Sequence, residues 1–277
     1  MSLHVVTDQN GRSLAIGACH LPHPLAHLHA IKLARFVPVI PTTVSSVDYS
    51  GPAMSVISNV EDNDRYGCCV ESEEAHFIAV VTGAGQGQLY AYSPDQVLAM
   101  YSILTNPPFN AADPSTDQGT DPVTCLNYFT QNPYADGSQN VGWAMGDATN
   151  QALVQYAVDT FGNGKLWLGL PDAVVANIPT ASGFVWDVPL GAANTQNGHC
   201  VGICGFTPQG VQIMTWGLVG TITWAALSAW CVPLQGGGIA HRVSTDWIGK
   251  ASSVSPTGLD LAGLKAAFAA TFGTTAS

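Results

Sequence analysis

The sequence predicts an α+β fold in which a mainly helical half precedes a mainly β-sheet half. Apolar residues recur with helical spacing in segments between residues 70 and 161, and short strand-like segments follow between residues 165 and 217. Helices and strands alternate little along the chain, which indicates the α+β class. With 277 residues, 47% of them hydrophobic, the chain can build a sizeable core as one large domain or one domain with an extension.

The first expected helix spans residues 70–81, with the sequence VESEEAHFIAVV. Its apolar stripe includes Phe77, Ile78 and Val81, which recur at helical spacing. Residues 83–88 follow as a glycine-rich stretch, which we expect to be a flexible loop because no helix opens after it as in a phosphate-binding loop.

Three further helices are expected before the sheet. One begins after Ser93, whose side chain can cap the first turn, and another spans residues 121–129. Residues 132–142 are expected to form a loop. The last helix spans residues 147–161, and a glycine-rich cap leads from it into a strand at residues 165–170.

Both ends of the chain lie outside this pattern. Residues 1–49 are expected to form an N-terminal extension or arm, followed by the main domain in residues 50–277. Residues 259–272 have the apolar spacing of a short C-terminal helix. The arm contains four closely spaced histidines, but prolines interrupt any helix there and no carboxylate lies nearby, so we expect a surface or packing segment and no metal site. These histidines are His20, His23, His27 and His29.

Charged residues are scarce and mostly acidic. The chain has 8 Lys and Arg residues against 19 Asp and Glu, a formal net charge of -11, which argues against a nucleic-acid partner because phosphate binding needs clustered cations. No apolar run approaches the ~20 residues that span a bilayer, and the N-terminus lacks the pattern of a secretion signal. A surface with so little charge suggests burial in a homo-oligomer or a larger assembly.

The cysteines are seven in number and irregularly spaced, which favours reduced thiols in a cytoplasm over a disulfide framework. Cys200 and Cys204 have the same parity on an expected strand and are interpreted as small core residues. Adjacent Cys68 and Cys69 are poorly placed to bridge each other.

Two segments far apart in the sequence have the composition of two halves of one thiol active site. In the first, NDRYGCCV, Gly67 allows a tight bend before Cys68 and Cys69, at the N-terminus of the first helix. There the helix dipole and free amide hydrogens favour a thiolate and can stabilise an oxyanion, to which the amide of Asn63 can contribute. The second segment is GHCVGICGF, in which His199 can exchange protons with the thiol and the leaving group.

These segments resemble the active-site motifs of papain-like cysteine peptidases. Members of that family have a glutamine six residues before the nucleophile and a glycine two before it, positions that Asn63 and Gly67 hold relative to Cys69. Their histidine lies on a strand ending in Gly-aromatic, followed by a hairpin and an Asn-x-Trp-Gly strand. His199 and Trp216 match these positions, so Trp216 is the candidate to shield the imidazole from water.

One position departs from the family pattern. Met214 stands where these peptidases have the asparagine that orients the histidine, and its thioether accepts hydrogen bonds poorly. Thr215 is adjacent, but on an extended strand we expect it to face away from His199. Two questions therefore stay open: whether catalysis is retained, and whether Cys68 or Cys69 is the nucleophile.

The resemblance also implies an architecture. It implies a helical lobe at residues 60–165, an antiparallel β-sheet lobe at residues 165–250, a cleft between the lobes, and no cofactor. The segments VPVIP (residues 37–41) and VDY (residues 47–49) are similar to those of uncharacterised papain-like proteins of bacteriophages and prophages. That likeness implies no particular substrate.

Two functions are compatible with the sequence. The first is a thiol hydrolase in which Cys69 attacks an amide carbonyl of a peptide or protein and His199 moves the proton; a transglutaminase or an amidase can use the same pair. The second is a papain-shaped structural or binding protein of a phage particle, whose partners are other virion proteins and whose chemistry is lost. The expected location is the host cytoplasm or the virion, without interaction with membranes.

Overall fold

The structure is a computed structural model that describes residues 44–248 and, before them, residues 4–7, 11, 13–16, 32–35 and 40. It confirms the α+β fold, in which helices pack on a mostly antiparallel sheet. The N-terminal arm is described only in part, so its boundary at residue 49 stays a prediction. The expected C-terminal helix and the four N-terminal histidines lie outside the described residues.

The strands form one large sheet and one separate hairpin. The hairpin pairs β1 (His4–Thr7) with β2 (Ser13–Ile16). The strands of the large sheet are β3 (Val47–Asp48), β4 (Asn140–Met145), β5 (Gly164–Gly169), β6 (Val185–Trp186), β7 (Gly198–Phe206), β8 (Gly210–Thr215), β9 (Leu218–Thr223) and β10 (Gly238–Ser244). Their order is β4-β10-β5-β7-β8-β9-β6, and β3 pairs with β7. Among these described pairs, β6 and β9 are parallel and the others antiparallel.

The helices surround this sheet. They are α1 (Met54–Ile57), α2 (Cys69–Gln86), α3 (Pro94–Leu104), α4 (Pro122–Gln131), α5 (Gln151–Phe161), α6 (Asp172–Ala176), α7 (Trp224–Trp230) and α8 (Thr245–Ile248). Capping fixes several of their starts, as expected for α3, where Ser93 and Gln96 form a reciprocal capping box. Helix α5 begins later than residue 147, because Asn150 caps it by accepting a hydrogen bond from the amide of Leu153.

Helix α2 is the central helix and packs against β7 and α8. Every residue from Cys69 to Gly83 is buried, so the stripe predicted for residues 70–81 is one part of a helix that is covered on all sides. The surrounding layers bury its polar faces as well as its apolar ones. A helix of this kind needs internal partners for its charged side chains.

The glycine-rich stretch at residues 83–88, expected to be a loop, forms the last turn and the C-terminal cap of α2. The helix continues to Gln86 and ends at Gly87, which adopts a left-handed backbone with φ of 65°. Gly85 lies against Trp247, where an added Cβ would be 3.2 Å from the indole ring. The glycine therefore allows close packing of α2 against α8.

Strand β4 was not predicted, because its residues fell partly in the expected loop at 132–142. It pairs with β10 and is buried on both faces, with Trp143 and Met145 in the core. A strand covered on both sides does not show the alternation of polar and apolar residues that identifies a half-exposed strand. The sheet therefore begins earlier in the chain than the sequence pattern indicated.

Apolar side chains fill both faces of the large sheet. Trp167 and Cys200 are paired neighbours that belong to the core beneath α2, whereas Leu166 and Val201 belong to the core on the opposite face. Cys204 is buried as well, so the interpretation of the two strand cysteines as core residues is confirmed. No described helix is both long enough and apolar enough to cross a bilayer.

Candidate active site

The two adjacent cysteines have different surroundings at the start of α2. Cys69 is the first residue of the helix and Cys68 is its N-cap. The Cys68 sulfur lies 3.6 Å from the carbonyl oxygen of Glu61 and 3.6 Å from the hydroxyl of Ser72. Burial raises the pKa of the Cys68 thiol well above its usual value. Cys69, in contrast, lines a small cavity at the end of the helix.

This cavity brings together residues from both sequence motifs. Its volume is about 10 Å³, the space of roughly one water molecule. The residues that line it include Asn63, Cys69, His76, Cys200, Thr215 and Trp216. Cys69 is 2% exposed. His199 is 1% exposed and is not among the residues that line the cavity; it reaches the cavity wall through its contact with Thr215. The N-terminus of α2 and the hairpin of β8 and β9 therefore meet at one point that is closed to larger molecules.

Asn63 lies on the cavity and is buried. Its side-chain nitrogen donates a hydrogen bond to the carbonyl oxygen of Tyr66, 3.3 Å away. A primary amide carries a second N–H, which this contact leaves for another acceptor. Asn63 is thus held by its own turn at the cavity wall, with one N–H that this contact does not use.

Gly67 is buried and donates its backbone N–H to the carboxylate of Asp117 at 3.0 Å. The left-handed residues before the cysteine pair are Glu61 and Asp62, with φ of 55° and 58°, and not Gly67. The chain bends at Gly67, as expected, without a left-handed backbone at this residue. The hydrogen bond to Asp117 anchors the segment that enters α2.

His199 lies on β7, beneath the end of the neighbouring hairpin. Its Nε2 is 2.7 Å from the hydroxyl oxygen of Thr215. The imidazole stacks on the indole of Trp216, with ring centroids 4.4 Å apart and planes inclined by 23°. Nδ1 of His199 is buried and has no hydrogen-bond partner among the described residues. The imidazole ring is thus fixed by a hydrogen bond at Nε2 and by stacking on one face, and no described residue bonds to its Nδ1.

The expectation that Thr215 faces away from His199 is wrong, and the strand register gives the reason. Gly202 of β7 pairs with Met214 of β8, so these two residues share one face of the sheet. His199 lies three residues before Gly202 and therefore faces the other side, which is also the side of Thr215. Met214 faces away from the imidazole, and the neighbouring threonine supplies the polar contact.

The cavity is closed by the turn between β8 and β9. The two turn residues, Trp216 and Gly217, have φ of 50° and 77°, which is the backbone of a type I′ turn. Gly217 lies against Ser58, whose carbonyl oxygen would be 2.9 Å from a Cβ at this position. The turn that carries Trp216 thus rests on the segment that precedes Asn63 and covers the site.

A buried network of four charged side chains lies behind the first turns of α2 and was not predicted. Lys165 on β5 and Arg242 on β10 each contact both Glu73 and Glu74 of the helix. The four N···O distances are 2.6 and 2.8 Å for Lys165 and 2.6 and 2.8 Å for Arg242. All four residues are buried. Two carboxylates and two cations cancel, so the network is neutral.

The composition of the helix contained a signal for this network. The run of residues 70–81 holds three glutamates among apolar residues, and buried carboxylates need cations. Burial opposes ionisation of Glu74, but Arg242 and Lys165 outweigh it and lower the pKa of Glu74 to about 2. Tyr134 adds a hydrogen bond of 2.9 Å to the same carboxylate. The sequence did not indicate which cations pair with these glutamates, because Lys165 and Arg242 lie far along the chain from the helix.

Glu71, the third of these glutamates, has no such partners. The side chain is buried, and neither carboxylate oxygen has a well-aligned hydrogen bond from a described residue. Burial raises the pKa of Glu71 to about 8, which outweighs the lowering by the nearby Thr120 hydroxyl, and Cys69 acts in the same direction as burial. The carboxyl is therefore largely protonated at pH 7.

Glu71→Gln is expected to stabilise the protein at pH 8 and to change its stability little at pH 4. In the unfolded chain this carboxyl titrates near 4.5, whereas in the fold it titrates at about 8. The wild type therefore loses stability as the pH rises through this window, and glutamine, which does not titrate, removes the loss. We expect a gain on the order of 4 kcal/mol at pH 8, measured by urea unfolding of both proteins at the two pH values. If the difference in stability between the two proteins were the same at both pH values, the raised pKa of Glu71 would be contradicted.

His76 lines the same cavity as Cys69, but the backbone of another segment holds its ring. Its Nε2 is 2.9 Å from the carbonyl oxygen of Asn59, and burial lowers the pKa of His76 to about 4. Within the described ranges, no group of His, Cys, Asp and Glu side chains is arranged to hold a metal ion.

Comparisons with known proteins bear on the fold. No family model and no curated protein matches the chain. Digestive procathepsin L 3 of the Tenebrio molitor larval midgut aligns with a TM-score of 0.55 and 12% identity, over 79% of this chain and 77% of that one. Digestive procathepsin L2 of the same organism aligns with a TM-score of 0.50 and 14% identity, over 82% and 78% of the two chains. At these identities the likeness concerns the backbone alone: the chain has the α+β fold of papain-like cysteine proteases.

Proposed function

We propose that the protein is a thiol hydrolase in which Cys69 is the nucleophile and His199 the acid and base. The observation that carries the proposal is the state of the imidazole: Thr215 holds Nε2, Trp216 covers one face, and Nδ1 keeps no partner among the described residues. A ring held in this way offers Nδ1 to one specific proton. The thiol of Cys69, on the same cavity as Thr215 and Trp216, is the group that requires it.

The surroundings of the cysteine pair support Cys69 over Cys68 as the nucleophile. The Cys68 sulfur is engaged by Glu61 and Ser72 inside the helical layer, where burial disfavours a thiolate. Cys69 is at the positive end of the 18-residue helix α2 and borders the cavity. The helix dipole favours a thiolate at that position.

The proposed reaction has two halves. The Cys69 thiolate attacks an amide carbonyl, and the resulting oxyanion accepts hydrogen bonds from backbone N–H groups at the start of α2 and from the side chain of Asn63. His199 then gives its Nδ1 proton to the departing amine, which leaves an acyl thioester on Cys69. In the second half His199 takes a proton from water, the hydroxide attacks the thioester, and the carboxylic acid is released as the thiol reforms.

Substrate entry requires the site to open. The free space of about 10 Å³ accepts a water molecule but not a peptide. The cover is the turn of Trp216 and Gly217, of which Trp216 lines the cavity and Gly217 rests on Ser58. Separating these two segments is the smallest movement that exposes Cys69, and such gating movements are common in hydrolases. The substrate class we propose is a peptide or protein amide.

The closed cavity also favours a second candidate function. A papain-shaped binding or structural protein has no need of an open cleft, and both Cys69 and His199 are almost fully buried. In this alternative the protein is a component of a phage particle, its partners are other virion proteins or copies of itself, and its location is the virion or the host cytoplasm. The sparse surface charge of the sequence is consistent with such an assembly.

Thiol alkylation distinguishes the two candidates whatever the substrate is. If the protein is a hydrolase, iodoacetamide at pH 7 should alkylate Cys69 at least about a hundredfold faster than Cys125. Cys125 is a buried thiol beside Lys165 and serves as the internal control. His199→Ala should remove that difference. Mass spectrometry of peptides sampled over time measures both rates. Equal, slow labelling of the two cysteines in the wild type would reject the hydrolase and favour the structural role.

Thr215→Val is expected to slow the alkylation of Cys69 at pH 7 by about tenfold to a hundredfold. Valine keeps the shape of the side chain but removes the hydroxyl that contacts Nε2 of His199, so the ring loses its fixed orientation. Thr215→Ser retains the hydroxyl and is the matched control, with a rate close to that of the wild type. A valine variant that reacts as fast as the serine variant would show that another group orients His199.

A further inference from the structure

We propose that Lys165 is a positioning residue for the nucleophile, because it ties the first turn of α2 to the sheet that carries His199. This inference rests on the proposed function of Cys69 and extends it to a residue far along the chain from Cys69. Lys165 is fully buried on β5, the strand that pairs with β7. It therefore stands between the two halves of the site.

The Lys165 ammonium group has three short contacts, as many as it has hydrogens, and a longer one of 4.0 Å to the sulfur of Cys125. Nζ donates to Glu73 at 2.6 Å, to Glu74 at 2.8 Å, and to the backbone carbonyl oxygen of Val70 at 2.9 Å. Val70 directly follows Cys69 in the chain. A single buried cation thus binds two side chains of α2 and also the backbone carbonyl of the residue that follows the nucleophile.

The strand register fixes the position of Lys165 relative to His199. On β5, Lys165 pairs with Gly202 of β7, and three residues further along the same ladder Leu168 pairs with His199. Neighbouring strands hold their register through the ladder hydrogen bonds, so the position of Lys165 relative to His199 is fixed. The bond to Val70 transfers that fixed position to the start of α2. Small displacements between a nucleophile and its base cost large factors in rate.

Arg242 provides a matched comparison inside the same network. It contacts the same two glutamates, at 2.6 and 2.8 Å, but its hydrogen bonds go to Glu73, Glu74 and Asn163 and not to the first turn of the helix backbone. It also lies over the ring of Phe77, 3.6 Å from the centroid. Removal of Arg242 therefore disturbs core packing at least as much as removal of Lys165, but leaves the Val70 bond intact.

Two double variants with equal charge separate positioning from general stability. Lys165→Met with Glu74→Gln leaves the Glu73 and Arg242 pair, whereas Arg242→Met with Glu74→Gln leaves the Glu73 and Lys165 pair with the Val70 bond. We expect the alkylation of Cys69 by iodoacetamide at pH 7 to be about tenfold or more slower in the Lys165 variant than in the Arg242 variant. Amide hydrogen exchange in residues 69–74 should be correspondingly faster in the Lys165 variant.

The outcomes are distinguishable from a failure of the proposed function. Equal alkylation and equal exchange in the two folded variants would overturn the positioning role. If Cys69 of the wild type is not activated at all, the hydrolase fails, while the exchange comparison still decides whether Lys165 holds the first turn. Should the Lys165 double variant not fold, Lys165→Arg keeps the charge with a longer side chain that displaces Val70. Several-fold slower alkylation supports the role, and a wild-type rate contradicts it.

Discussion

Arg242→Met is expected to lower the free energy of unfolding by about 3 to 5 kcal/mol. The substitution leaves Glu73 and Glu74 with Lys165 as their shared cation, so one buried negative charge loses its counter-ion. It also removes the stacking of the guanidinium on Phe77. Removing one member of a buried pair costs far more than removing an exposed charge, because the remaining charge stays desolvated. Urea denaturation at pH 7 measures the change.

Arg65→Met is the control for this prediction. Arg65 is 3.5 Å from Asp62, and its side chain is 63% exposed, so solvent screens the pair. We expect a change of no more than about 0.5 kcal/mol. Comparable losses in the two variants would show that charge balance inside the network is not what stabilises the helix against the sheet.

Cys69→Ala is expected to abolish amide hydrolysis, with a loss of at least about a thousandfold, whereas Cys68→Ala should keep the rate within several-fold of the wild type. The two residues are adjacent and both buried, but Cys69 borders the cavity and the Cys68 sulfur contacts Glu61 and Ser72. Release of new amino groups from a mixed peptide library, followed by mass spectrometry, measures the activity for any sequence preference of the enzyme.

The adjacent variants also test the assignment of the pair. If Cys68→Ala abolishes hydrolysis and Cys69→Ala retains it, the nucleophile has been assigned to the wrong sulfur. Thermal unfolding of both variants serves as the folding control, because each substitution removes one buried sulfur atom from the same layer.

Local signals predicted much of the fold. The cap at Ser93 and the helical spacing of residues 121–129 depend on neighbouring residues, and both helices form. Strand β4 could not be predicted from the sequence, because a strand that is buried on both faces does not alternate polar and apolar residues. The glycines after residue 82 suggested a loop, but contacts with distant Trp247 keep them helical. Propensity was overridden where tertiary packing decided the conformation.

In the candidate site, too, local motifs were predictable and contacts between distant segments were not. The motif residues Cys69 and His199 were visible in the sequence, but the role of Thr215 depends on which residue of β8 lies opposite Gly202, and register cannot be deduced from one strand alone. The partners of Glu73 and Glu74 were hidden for a similar reason, since Lys165 and Arg242 are supplied by separate strands. Pairings across the sheet are properties of the fold and not of any single segment.

Cross-linking with a short dihalide such as 1,3-dibromoacetone tests the central claim most directly. One end alkylates the reactive thiol, and the other end then captures a nucleophile within reach of the bridge. The proposal predicts a single linked peptide pair that joins the sulfur of Cys69 to the imidazole of His199, lost in His199→Ala. A bridge from Cys69 to Cys200, or Cys69 alkylated while His199 stays unmodified, would contradict it.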